Sequence, residues 1–540
     1  MSKHAISAVI VLTLALVGGR AVAQSPVEPL PLPPFSPSSI VPGLAGIITT
    51  SKQPDEAKAQ ARQLWARGST INRRGMPGEA WRVLEHARAL ALGRPWSAKE
   101  EFAASLVLRA DTPVTDPGRP LLVRLAQRYP APYQLASGLR LKLSLIEATS
   151  DRKLARDLGL LDGIRFDLIE RPAGFSVDLD GLPPGRYHLV ADISDGETRL
   201  GQAEVSIWNV PNFDRQYADV RRRLVEVKGS EGTKARILYP FDLARVINSG
   251  NRETALFDYT AEIARSMDLL SSLEAGQDRL YQAKGDLKKA YLLADAGEVM
   301  PYRVYVPSKW SPAQRLPMVI FLHGLNSDEN TPFEWPLARN VAARLDGALA
   351  RMAEERGVIA VAPLGYRVSA TWGGAETFLN QEAKPQPGDR QPVPDPWDRR
   401  ALVLAERDTL NVIDMVAKEY NVDQQRMYLM GNSAGMGGVL YLAGKDPRRW
   451  AAIAPSALPY HAMSFHPFDR YKGLPVMIVH AENDPLANVG NSRKVFEYMK
   501  AEGVDVNYVE VTGLDVGTAH NLPWVAALPE IFEFFGKHSR

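Results

Sequence analysis

The sequence predicts an α/β protein: a mostly parallel sheet with helices on both faces over residues 286–540, preceded by helical and small β-sandwich regions. Three observations predict it. Apolar runs at 318–322, 358–362, 427–430, 452–454, 476–479 and 506–511 read as buried strands. Amphipathic stretches around 337–355, 401–420, 434–443 and 492–502 fall between them, the alternation that gives a parallel sheet two covered faces. A chain of 540 residues also exceeds what one hydrophobic core supports, so several domains are expected.

Residues 1–23 read as a secretory signal. Lys3 supplies the positive end, 5–17 the apolar run, and Ala21-Val22-Ala23 the small-residue cleavage site before Gln24. The run falls short of the roughly 20 residues that span a bilayer, and no later stretch is long and apolar enough to insert stably. Export to the periplasm or the medium is therefore expected. Residues 24–50 hold Pro26, Pro29, Pro31, Pro33, Pro34 and Pro37, a stiff extended spacer without a helix.

From 51 to 112 the apolar residues recur at helical spacing, as in Leu64, Val83, Leu84, Ala87 and Leu90, with Asp55, Glu56 and Lys58 on the solvated face. Over 113–212 the texture changes to short alternating runs at 121–125, 139–145, 175–179 and 187–193, closed by Val205, Ile207 and Val210. Turns such as Pro183-Pro184-Gly185 and Asp195-Gly196 separate them. That pattern suggests a β-sandwich, immunoglobulin-like in outline. Residues 213–285 read as a helical connector, with Ala261, Ile263, Ala264, Met267, Leu269 and Leu270 as its apolar stripe. A hairpin of 288–293 and 300–306 then opens the last domain.

An apolar fraction of 45% with 23% charged residues suits a globular protein, and a net charge of +2 without long runs of one sign argues against nucleic acid as a partner. There is no cysteine, which removes disulfides, a thiol nucleophile and any thiolate metal site.

The chemistry centres on Gly431-Asn432-Ser433-Ala434-Gly435, a G-x-S-x-G pattern. An apolar strand runs directly into it and a helical pattern leaves it. This is the sharp strand-to-helix turn that lifts a serine hydroxyl above a sheet edge. A serine needs a base to take its proton, and the base needs an orienting acid. Asp484, in the loop after the 476–479 strand, and His520, between the last strand and the terminal helix, follow in the order Ser, acid, His. Glu482 is the local rival for the acid. The oxyanion donors are expected from the backbone amides of Ala434 and of Leu325, which follows His323-Gly324; His323 itself is expected to hold that loop. His461 and His466 lie five apart without clustered carboxylates, a poor metal site.

With these residues assembled, the C-terminal half resembles the α/β-hydrolase esterases related to polyhydroxybutyrate depolymerases and feruloyl esterases. The resemblance is carried by Tyr302-Arg303-Val304-Tyr305-Val306-Pro307, Phe321-Leu322-His323-Gly324, the stretch from Glu419 to Tyr428, the serine turn, the 480–484 loop and His520. Similar proteins usually carry histidine and methionine where Asn432 and Ala434 stand, and glycine where Ala481 stands; no catalytic group is lost. The resemblance implies an α/β-hydrolase fold and hydrolysis of a carboxylic ester, small-molecule or polymer-linked, through an acyl-enzyme on Ser433, with no cofactor and no metal. A long insert at 365–399 carries Trp372, Phe378 and Trp397, aromatics that either receive an aromatic acyl group or pack the loop onto the body. The competing functions are a serine peptidase of the prolyl-oligopeptidase type, whose propeller has no counterpart here, and an inactive hydrolase serving as a binding module.

Overall fold

The computed structural model describes residues 23–26, 44–73, 76–165, 167–249, 257–325, 327–334, 347–366, 372–373, 399–458 and 467–540. The expected secretory signal up to residue 22 lies outside these, as do Phe378, Trp397, His461 and His466. Contacts divide the chain into two compact units.

Helices α1 (Leu44–Thr50), α2 (Asp55–Arg73) and α3 (Pro77–Ala91) close a small core of Leu44, Ile48, Ala61, Ala80, Leu84 and Ala87. A short strand β1 (Ala23–Pro26) is extended as expected, and helix α1 corrects the expectation of a spacer without a helix. The helix starts beyond the last proline, and Leu44 and Ile48, one turn apart, are both buried.

The first unit comprises β1 and Ala98–Asn212 with Thr254–Asp258. Helix α4 (Ala98–Ser105) passes straight into strand β2 (Leu106–Ala110), so the expected helical region ends earlier than 112. Leu106, Leu108 and Ala110 are buried with period two, and a helix would have turned Leu108 to the face opposite Leu106 and Ala110. Strands β3 (Val114–Thr115), β4 (Leu121–Gln127), β5 (Leu139–Glu147), β6 (Leu154–Ile164), β7 (Ala173–Val177), β8 (Gly185–Asp195) and β9 (Thr198–Asn209) follow. They form sheets ordered β1-β7-β4-β2 and β3-β9-β8-β5-β6. Leu121, Val123 and Leu125 of one sheet share a core with Leu141, Leu143 and Leu189 of the other. Strand β6 was not anticipated. Irregular register against β5 and left-handed glycines at 159 and 163 break its period, spacing the buried Leu158, Leu161 and Ile164 by three.

In the second unit, α5 (Phe213–Glu226), α6 (Glu231–Asn248) and α7 (Tyr259–Glu274) lead to β10 (Gly285–Leu293) and β11 (Glu298–Val306), paired antiparallel. Then come β12 (Met318–Leu322), α8 (Ala348–Arg356), β13 (Ile359–Pro363), α9 (Arg399–Glu419), β14 (Met427–Asn432), α10 (Ala434–Lys445), β15 (Ala452–Ser456), β16 (Val476–Ala481), α11 (Val489–Ala501), β17 (Val506–Val511), α12 (Pro523–Ala526) and α13 (Leu528–Gly536). The eight strands are ordered β10-β11-β13-β12-β14-β15-β16-β17, with β11 antiparallel to its neighbours and the rest parallel. Alternation along each strand splits the core between two faces. Ile320 and Leu429 pack with Val412 of α9, Val439 of α10 and Val495 of α11. Val319, Phe321 and Met430 pack with Leu349 of α8 and with Ile531 and Phe535 of α13. This is the α/β-hydrolase arrangement. Its parallel strands all end at one edge, where sites of such sheets lie.

Candidate active site

Strand β14 ends in Asn432 and helix α10 begins at Ala434, so Ser433 alone makes the turn between them. Its backbone sits at φ 57° and ψ −119°, a left-handed conformation rare for any residue with a side chain and costing on the order of 1–3 kcal/mol. The flanking glycines are sterically required. A Cβ on Gly435 would lie 1.9 Å from the Leu322 carbonyl oxygen, and one on Gly431 would lie 2.7 Å from that of Gly435. The Ser433 amide donates to the Ser456 carbonyl at 3.0 Å, tying the strained residue to β15.

The turn, the loop after β16 and the loop after β17 meet at the carboxyl edge. Ser433 Oγ lies 2.8 Å from His520 Nε2, and His520 Nδ1 lies 2.8 Å from Asp484 Oδ2 and 3.0 Å from Oδ1. The structure thus brings the three residues expected for the triad into one hydrogen-bonded chain. Glu482 instead accepts from the Gly513 amide at 3.1 Å.

The Asp484 side chain has no exposed surface. Burial alone would raise its pKa. Hydrogen bonds from His480 and His520, the charge of His520 and the Ala487 amide outweigh that and hold the carboxyl well below the usual range. It therefore stays ionised, as an acceptor for the imidazole N–H must.

Leu325, one of the two residues expected to supply an oxyanion amide, lies in the loop after β12. A side chain on Gly324 would come 3.4 Å from Ser433 Cβ, so this loop passes close to the nucleophile. Ala434 opens α10, where the first amides have no partner within the helix. Beneath the loop, His323 is almost wholly buried, its Nε2 2.9 Å from the Leu364 carbonyl oxygen and its Nδ1 2.9 Å from that of Gly324. Burial lowers its pKa against those two contacts, and the ring holds the carbonyls of Gly324 and Leu364 apart.

Trp372 packs into the body, the second of the two readings open for it from sequence. Proposed from sequence as a wall of the substrate pocket, it is only 1% exposed. Its indole N–H donates to the His323 carbonyl at 3.2 Å and its ring meets the imidazole edge-on at 4.7 Å. It fills the space over Gly438, where a Cβ would lie 2.6 Å from the indole. The left-handed backbone at Trp372, φ 64°, turns the ring inward beneath the loop, not outward toward substrate.

Sequence reasoning missed three supporting residues. Asn432 Nδ2 donates to the His520 carbonyl at 3.1 Å, linking the serine turn to the histidine loop. His480 donates to Asp484, treated below. Asp408 in α9 accepts from Tyr291 Oη at 2.7 Å and from the Tyr366 amide at 2.8 Å, fixing the turn that follows Leu364. Burial pushes its carboxyl up to about 6 against those hydrogen bonds. Asn432 alone left a signal, a polar residue inside the motif.

Fold and constellation define the class: an α/β-hydrolase with a Ser-His-Asp array. Residues 294–535 match a family model described as "Putative esterase". A bifunctional acetylxylan esterase/xylanase of Neocallimastix patriciarum is 25% identical over 208 residues, 38% of this chain and 23% of that protein. The chain spans less than half the length of the curated relatives it matches. Among solved structures, a thermostable esterase is 16% identical, with a TM-score of 0.36 over 81% of this chain and 100% of that one. A ferulic acid esterase of Anaeromyces mucronatus, solved with ferulic acid, is 17% identical, with a TM-score of 0.34 over 48% of this chain and 95% of that one.

Proposed function

We propose that this protein is an exported serine hydrolase of carboxylic esters, working through an acyl-enzyme on Ser433. The observation that carries the reading is the unbroken chain from Ser433 Oγ through His520 to the buried Asp484, with both links at 2.8 Å. His520 Nε2 takes the hydroxyl proton as Oγ attacks the acyl carbon. The amides of Leu325 and Ala434 receive the developing oxyanion. The imidazolium returns its proton to the leaving alcohol, and water, deprotonated by the same imidazole, releases the acid. Asp484 holds the imidazole by its Nδ1–H throughout.

The family match over 294–535 supports an ester as substrate. The acyl group is proposed to be aromatic or part of a polymer, with Phe378 and Trp397 of the insert as candidate contacts. The two-sheet unit is proposed as an immunoglobulin-like accessory that contributes no catalytic group. The test is a panel of acetyl, butyryl, feruloyl and polyester substrates beside matched amides, with fluorophosphonate labelling of wild type and Ser433→Ala. Ester turnover with Ser433-dependent labelling is the expected result. Cleavage of amides over esters would favour a peptidase, and absence of labelling an inactive binding module.

A further inference from the structure

His480 is the penultimate residue of β16, and nothing in the triad chemistry calls for it. Its side chain is fully buried, where each ring nitrogen needs a partner. On one side, Nδ1 receives the Leu458 amide at 3.3 Å and lies 2.6 Å from Ser492 Oγ in α11. A backbone N–H can only donate, so Nδ1 is an acceptor and the ring proton sits on Nε2. On the other side, Nε2 faces Asp484 Oδ2 and the Ala487 carbonyl oxygen, each at 3.1 Å and each an acceptor only. The pattern is self-consistent for one species, the neutral Nε2–H imidazole.

That places a second histidine on the carboxylate of the triad. Oδ2 accepts from His520 and His480. Oδ1 accepts from His520 and from the Leu486 and Ala487 amides at 2.8 and 2.9 Å. With the side chain shielded from solvent, these donors fix the rotamer of the carboxylate and share its charge. We propose that His480 is a positioning residue of the catalytic acid, orienting Asp484 toward His520 and tempering its basicity.

The inference rests on the hydrolase reading above but predicts its own sign. Removing a donor concentrates charge on Asp484 and favours the imidazolium of His520. The acid limb of activity then moves to higher pH. A merely structural role would lower stability and leave that limb in place. Other charges near the ring do not supply the effect: Glu510, the register neighbour of His480 on β17, is paired with Arg493 of α11. Asp484 is the charged group hydrogen-bonded to His520.

The experiment compares wild type, His480→Leu, which has no donor, and His480→Gln, whose amide can still reach Asp484. Three quantities are read: kcat/KM against pH on a p-nitrophenyl ester, melting temperature, and titration of His520 by NMR with labelled histidine. We expect His480→Leu to lose about 10- to 100-fold in kcat/KM, less than loss of the acid itself. Its acid limb and His520 titration should rise by about half a pH unit or more, with His480→Gln restoring most of both. A folded His480→Leu with the wild-type titration overturns the proposal while the ester reading stands. If wild type hydrolyses no ester yet the titration moves, the ester reading fails and the coupling holds. Should His480→Leu not fold, wild type and His480→Gln decide: NMR must find His480 protonated at Nε2 and bare at Nδ1, and the opposite tautomer refutes the assignment.

Discussion

Asp484 takes hydrogen bonds from two imidazoles and two amides while wholly buried, and this governs what substitutions around it do. A carboxyl held well below its usual range stabilises the fold at every pH above the unfolded value near about 4. That contribution is lost only as pH falls toward the depressed folded value. Within the working range the acid stays ionised, so the acid limb of activity belongs to the imidazole. An acid limb near about pH 4 would mean that a carboxyl is the group being titrated. Asp484→Asn should cost up to roughly 10⁴-fold in kcat by favouring the wrong tautomer of His520, and Ser433→Ala about as much or more, both in folded protein. Glu482→Gln, at an exposed side chain that accepts from the Gly513 amide, should be mild; a crippled Glu482→Gln beside an active Asp484→Asn would move the acid two residues back. The three chemical residues were legible because each follows a strand in the loop it leads into, and strands announce themselves by composition. His480 was not: on the sequence it is the last polar step of a buried run, and only the fold of 481–487 back onto it shows what it serves.

At the scale of elements, the strand–turn–helix of β14 and α10 was readable because sterics leave few sequences for it. Glycines at 431 and 435 are the local signature of a backbone crossing another at contact distance. The loop over the nucleophile is different. His323, Leu364, Trp372 and Asp408 come from four segments, and their bonds run between residues about 40 or 50 positions apart, which local periodicity cannot report. Strand β6 was hidden for the converse reason, since its bulges erase the period that marks a strand. The support at Asp408 has a pH signature. Its carboxyl is pushed up to about 6, so holding it ionised costs stability as pH rises from its unfolded range near about 4 through about 6, and the cost is absent below. Tyr291→Phe removes one donor from that carboxylate. It should destabilise by about 1–3 kcal/mol where Asp408 is charged, and by less where it is protonated. Melting at pH 8 and pH 5 checks this, with the larger drop expected at pH 8; equal drops would show that the tyrosine serves packing alone.

At the scale of the molecule, the boundary of the catalytic body lies further upstream than the sequence suggested. Residue 286 was expected to begin the hydrolase, with 213–285 a connector. Helix α6 nevertheless packs on β10 and β11, the antiparallel edge of the sheet. Ten of its eighteen residues are buried, more than a single amphipathic stripe supplies, so it is covered on more than one side. Phe213 and Tyr217 of α5 meet Phe241 of α6 with ring centroids 5.7 Å apart. A chain starting at 286 would lose Ile237, Phe241, Leu243 and Ile247 from this layer, each worth about 1.5–3 kcal/mol of burial. At about 2–4 °C per kcal/mol it should melt ten degrees or more below the full chain, or fail to stay soluble. A chain starting at 213 keeps α5 to α7 and every element that carries Ser433, Asp484, His520 and the loop of Leu325. We expect it to stay folded and to turn over a small p-nitrophenyl ester at a rate within about tenfold of the full-length kcat, since every residue placed in the chemistry is retained. Thermal melting and kcat on the two shortened chains decide the matter. If the chain from 213 is folded but slower by hundreds, the upstream residues help build the site; if the chain from 286 melts with the one from 213, α6 is no part of the catalytic body.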